Sequence, residues 1–220
     1  MYSQGLLRTL SALTIGLTAT LSLPASSQGD GARMEKYAKF GIERVLTRLL
    51  GAETRVDSVA WDKSGKVLEI QGLRIANPEG FSDSDAIFVK AFRVEADAKS
   101  LDSEEPVIKL IKTTGAKVNA EISPRGGVNI KTLLDNVNDA REKLGNRPKL
   151  RGGGDEPKKK WRIEKGVLQQ CAVNIVTPLG NSTRTLDDID MDFIGDDGKG
   201  MTAREAMQKV MGRIVDELAL

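Results

Sequence analysis

The chain reads as α+β: a bent, groove-like, mainly antiparallel β-sheet with one apolar face covered by three amphipathic helices. Three observations predict this. Leu68 and Ile70 alternate with polar neighbours, and Leu73 and Ile75 resume the alternation one step out of phase across Gly72, the pattern of a strand that bends. From Phe92 onward, Phe92, Val94, Ala96 and Ala98 face one way and Arg93, Glu95, Asp97 and Lys99 the other, as in a sheet with one dry and one wet face. Stretches beginning at Met34, Asn129 and Thr202 repeat apolar residues at helical spacing and supply the cover.

Composition narrows the chemistry. The 220 residues, 40% of them hydrophobic, suffice for one domain or two small ones. A formal net charge of +2 does not mark a polyanion binder, and no nucleic-acid partner is expected. Histidine is absent, which excludes Ser-His, Cys-His and His-ligated metal chemistry. The single cysteine, Cys171, cannot form an internal disulfide and reads as a small buried thiol within an apolar strand. No nucleophile stands beside a recognisable base and no glycine-rich phosphate loop is present, so no catalytic residue, metal site or cofactor is predicted.

Residues 1–27 read as an export signal. Arg8 precedes an apolar run from Leu10 to Leu23, ended by Pro24 and the small residues Ala25, Ser26 and Ser27. The run is short and hydroxyl-rich for a membrane span, which needs about 20 mostly apolar residues, so cleavage after Ser27 is expected; an uncleaved membrane anchor is the alternative. With no cysteine after the run, a lipid-anchored form is not expected.

Residues 34–145 form the first part of the domain. Met34, Tyr37, Ala38, Ile42, Val45, Leu46, Leu49 and Leu50 gather on one face of a helix that Gly51 closes. Arg55 to Trp61 is a short strand, and the turn Asp62-Lys63-Ser64-Gly65 leads into the bent strand. Asn77-Pro78-Glu79-Gly80 reverses the chain. Val107 to Ile111 is an apolar strand bracketed by Pro106 and Gly115, and Ala116, Val118, Ala120 and Ile122 alternate with Lys117, Asn119 and Glu121 in another. After a loop from Ser123 to Val128, Asn129 caps a helix that turns Ile130, Leu133, Leu134, Val137 and Leu144 towards the sheet and stops at Gly145.

Residues 146–160, with two prolines, three consecutive glycines and three consecutive lysines, read as a flexible linker. Residues 161–220 complete the same domain. Trp161, Ile163 and Val167 to Val176 are strands, and Pro178 and Gly180 mark a turn. Asn181-Ser182-Thr183 fits a glycosylation sequon, which matters only in a secreted eukaryotic protein. Ile189, Met191 and Phe193 alternate with Asp188, Asp190 and Asp192; Phe193 stands where a calcium loop needs glycine and Lys199 where it needs glutamate, so the aspartates read as the wet side of an edge strand. The last helix opens with a Thr202-Ala203-Arg204-Glu205 capping box and lines Met207, Val210, Met211, Ile214, Val215 and Leu218 on one face.

At Gly65 to Leu101 and again at Asp190 to Gly200 the chain resembles the AsmA-like family of bacterial envelope proteins. The resemblance rests on the Ile75-to-Phe81 turn, Ile-Ala-Asn-Pro-Glu-Gly-Phe, on the alternating strand into Ser100-Leu101, and on Asp-Asn-Val-Asn at Asp135 to Asn138. Larger members are implicated in outer-membrane biogenesis and phospholipid traffic, and their sheets resemble the curved grooves of bridge-type lipid transfer proteins. This chain lacks the long series of β repeats, and the family offers no catalytic residue to carry over. The resemblance implies a non-enzymatic periplasmic protein, with the inner membrane as its site if the signal stays uncleaved. Two readings of its work follow. In the first, lipid or a membrane surface is the partner, and an acyl chain lies along the apolar face of Phe92, Val94, Ala96, Ala98, Ala116, Val118, Ala120 and Ile122, where the alanines leave space. In the second, the same alanines admit closely packed helices, the core is filled, and another envelope protein binds at a sheet edge or on the helical surface.

Overall fold

The computed structural model describes residues 31–62, 66–101, 103–124, 126–145, 162–194 and 201–202. A helix α1 (Gly31–Leu50) leads into the strands β1 (Thr54–Arg55), β2 (Ser58–Trp61), β3 (Val67–Ala76), β4 (Asp85–Ala96) and β5 (Val107–Glu121). A second helix α2 (Asn129–Gly145) follows. The chain then adds β6 (Arg162–Ile163), β7 (Lys165–Gln169), β8 (Cys171–Thr177), β9 (Gly180–Leu186), β10 (Ile189–Asp192) and β11 (Met201–Thr202). All eleven strands belong to one open sheet. From β1 and β2 at one edge through β3 and β4 to β5 every pairing is antiparallel. β5 then pairs in parallel with β6, β7 and β8, and these carry β11, β10 and β9 antiparallel at the far edge.

Two helices, not the expected three, are found among the described residues, and the expected fold class is corrected accordingly to an open, mostly antiparallel sheet with α1 and α2. Thr202, read as a helix cap, pairs with Arg162 as the end of β11, and the rest of the expected third helix lies outside the described residues. So do the export signal, the whole of the expected linker, and the Gly65 corner of the first hairpin. The parallel half of the sheet was not foreseen either. α2 stands between β5 and β6 in the chain, and a crossover of that length lets the chain re-enter beside β5 in the same direction.

Several expected strand limits also move, for one shared reason. The registers on either side place Asp57 opposite Gly72, Gly72 opposite Lys90, Lys90 opposite Gly115, Gly115 opposite Gln170 and Gln170 opposite Asp187. This single row crosses the whole sheet. Gly72, Gly115 and Gln170 have φ of 62°, 65° and 54°. A left-handed residue turns the chain so that the inward side chains change parity, and neighbours that keep register must all change at the same level. Buried Leu68 and Ile70 accordingly give way to Leu73 and Ile75, Ile87 and Val89 to Phe92 and Val94, and Leu186 to Ile189 and Met191. The expected strand from Arg55 to Trp61 is therefore split at Asp57 into β1 and β2, and that from Val167 to Val176 is split at Gln170 into β7 and β8. The two strands expected around Gly115 are one, β5.

The core lies between the sheet and the helices. Ala38, Ile42, Leu46 and Leu50 of α1 and Ile130, Leu133 and Val137 of α2 pack with Leu73, Ile75, Ile87 and Val89 in one apolar cluster. Tyr37, expected on the buried face of α1, is instead 59% exposed. It lies close to a half-turn around the helix from Ile42, so the face that buries Ile42 must expose it.

Candidate functional site

The expected ligand-contacting residues are divided by the cross-sheet row. Phe92 pairs with Thr113 and Val94 with Ile111 on one side of it, whereas Ala116 pairs with Val89 and Val118 with Ile87 on the other. Cross-strand neighbours on β4 and β5 therefore meet within each half rather than across the row. Phe92, Val94, Ala96, Ala116 and Val118 are 3%, 2%, 6%, 3% and 3% exposed. Ala98 falls in the turn after β4, and Ala120 and Ile122 are half-buried, Ile122 in an isolated bridge to Val128. A water-sized sphere barely reaches the inward residues, so protein atoms fill their surroundings.

Asn77, Asn129, Asn136 and Ser100 tie turns and helix ends to the sheet. The Asn77 Nδ2 amide donates to Glu121 Oε2 at 3.1 Å and to Ser82 O at 3.1 Å, and Ser82 N donates to Glu121 Oε1 at 3.0 Å. The turn is thereby fastened to the end of β5. Asn129, fully buried, donates from Nδ2 to Asn77 Oδ1 and to Asn119 O, both at 2.7 Å, while its Oδ1 accepts from Ile130 N and Glu121 N at 2.7 and 2.9 Å. Asn136, within Asp135 to Asn138, donates to Leu50 O at 2.7 Å and so caps α1 from α2. Ser100 Oγ donates to Asp97 O and accepts from Val107 N, both at 2.8 Å, which shapes the turn between β4 and β5. Asparagine serves these positions because one short side chain both donates to and accepts from backbone groups.

Several charged side chains of the sheet pair with one another. Arg93 lies between Glu95 and Glu69, whose hydrogen bonds, that of Glu95 foremost, raise its pKa further above the ordinary arginine value. Arg74 meets Asp57 at 2.6 Å and lies over the Phe88 ring at 5.2 Å from its centroid. Of the alternating aspartates, Asp190 pairs with Lys165 at 3.3 Å and Asp188 accepts from Gln170 N at 3.0 Å. Cys171 is buried, and desolvation pushes its thiol up in pKa, against a hydrogen bond from the backbone of Ala116 that lowers it. A thiol held protonated in this way is a poor nucleophile.

Among the described residues, the hairpin of β8 and β9 is a further exposed part of the sheet. Its two-residue tip, Pro178-Leu179, presents Leu179 fully to solvent. Gly180 to Thr185 are all exposed, and only Leu186 turns into the core. β8 is the only strand paired with β9 among the described residues. The sequence pattern gave little warning of this surface, because Asn181-Ser182-Thr183 drew attention as a sequon rather than as an edge. Among the described residues no helix is long and apolar enough to cross a membrane. Compared with known protein families and with curated proteins, the chain matches none.

Proposed function

We propose that the chain is a non-enzymatic, exported module of the bacterial cell envelope, AsmA-like in kind, that binds a protein partner by strand addition at β9. The observation that carries this reading is the open edge of β9, six consecutive exposed residues with β8 on one side. An extended partner segment would take its backbone hydrogen bonds from that edge and rest an apolar side chain near Leu179 and Ile175, which are 100% and 38% exposed. The edge carries Arg184 but no proline, bulge or lysine of the kind that blocks such pairing. The filled surroundings of Phe92, Val94, Ala116 and Val118 also support a surface function over one that holds lipid between sheet and helices.

The test places a photo-reactive residue at Leu179 in the full chain expressed in its own cells. A discrete protein adduct is expected, and it is lost in Thr183→Lys/Thr185→Lys, whose added charges sit on exposed positions and leave the thermal midpoint unchanged. An adduct indifferent to the lysines, or no adduct together with stoichiometric lipid released from the purified protein, would overturn the reading.

A further inference from the structure

α1 presents a second surface, independent of β9. At about 100° per residue, Arg33, Lys36, Tyr37, Phe40, Arg44 and Arg48 fall within an arc of about 120°. All six are exposed, opposite Ala38, Ile42, Leu46 and Leu50, which enter the core. Tyr37 and Phe40 are each 59% exposed, and the Arg33 guanidinium lies over the Tyr37 ring at 5.8 Å from its centroid. The two carboxylates of the helix, Glu35 and Glu43, are half-buried and lie outside this arc. Glu43 accepts from Val56 N at 2.8 Å and lies 4.0 Å from Lys39. The outward strip therefore has four cations, two aromatic rings and no acid.

These residues fit one kind of surface. A convex helix face has no groove for an inserted side chain, but a planar layer of anionic headgroups meets all six residues at once. Rings enter such a layer at the boundary of the acyl chains, while arginine and lysine stems lie along it with their charges among the phosphates. We propose that the outer face of α1 docks this protein onto an anionic bilayer surface, with Tyr37 and Phe40 in the headgroup layer and Arg33, Lys36, Arg44 and Arg48 against lipid phosphates. Charge complementarity selects this occupant: four cations and no acid along one convex strip meet a planar anionic layer together, and the two exposed rings suit its headgroup depth.

Flotation of the full chain with vesicles tests it. Binding is expected to vesicles of phosphatidylcholine with about 30% phosphatidylglycerol, weakening severalfold as salt rises from about 0.1 M to about 0.5 M. Each cation near such a surface contributes roughly fivefold, so Lys36→Glu/Arg44→Glu should lose about twentyfold or more. Tyr37→Ser/Phe40→Ser should lose about tenfold, as two rings leave the interface. Lys36→Arg/Arg44→Lys should bind as the parent does. The apolar run Leu10 to Leu23 is common to all variants, so the differences report the helix face. Equal binding to purely phosphatidylcholine vesicles, retention by both disruptive pairs, or binding to a soluble polyanion without binding to vesicles would overturn the proposal. Should a disruptive pair fail to fold, the salt response of the parent and the charge-conserving pair decide.

Discussion

Asn129 has one carbonyl oxygen and one amide nitrogen to place in a fully buried setting, and it uses each twice. Asn129→Ala would leave Asn119 O and the Glu121 and Ile130 amides short of a partner. The expected loss is about 2–3 kcal/mol in denaturant unfolding, since buried groups left unpaired cost their desolvation. Asn77→Ala, at the exposed end of the same network, should cost about 1 kcal/mol, and a double-mutant cycle should return a coupling of at least about 0.5 kcal/mol between the two. Cys171 gives a pH prediction. Its folded thiol keeps its proton to higher pH than the unfolded chain, whose thiol titrates at about 8.5. Its contribution to stability is therefore full below that pH and is lost as pH rises towards the folded value. Unfolding measured across this range should show a fall that Cys171→Ala removes.

The elements depend on the row from Asp57 to Asp187. Gly72 and Gly115 cannot be replaced cheaply, because both sit at positive φ and both lie close under a neighbour's side chain. A Cβ at Gly72 would fall 1.8 Å from Asp57 Oδ2 and one at Gly115 would fall 2.9 Å from Lys90 Cβ. Gly72→Ala and Gly115→Ala should each destabilise by about 1–3 kcal/mol. Gly80→Ala, at φ 92° with no atom within 4 Å of the added carbon, should cost only the backbone term, and thermal unfolding of the three side by side checks the order. Gly166 is small for a different reason: its added carbon would stand 2.5 Å from the Phe193 ring, which closes over it.

For the whole molecule, β5 is the hinge of the topology, paired with β4 on one side and with β6, β7 and β8 on the other. Opening it requires both halves of the sheet to separate. Hydrogen exchange should therefore be slowest in β3, β4 and the middle of β5, and fastest in β9, whose outer groups face solvent. Ile87, fully buried against Ile75 and Val118, joins the same core, and Ile87→Ala should cost about 2–5 kcal/mol and speed exchange across β3 to β5 together. Exchange that quickened in β4 alone would show that the core does not act as one unit.

Much of this was legible in the residues. Alternation in Phe92 to Ala96, the change of phase at Gly72, the start of a helix at Asn129 and the stop at Gly51 are local, because strand and helix periods and left-handed glycines act within a few positions. Local pattern could also suggest that Ala116 and Phe92 share a face, since both are apolar in alternating strands. Three things were decided only by tertiary structure. The parallel return beside β5 depends on which edge is open after α2, a choice between distant segments. The partners of Ala116 and Val118 depend on register, which a single row, left-handed at Gly72, Gly115 and Gln170, keeps in step across the sheet. Tyr37 stands in water because the sheet takes only the side of α1 that carries Ala38, Ile42, Leu46 and Leu50, and the apolar spacing alone did not show how narrow that side is.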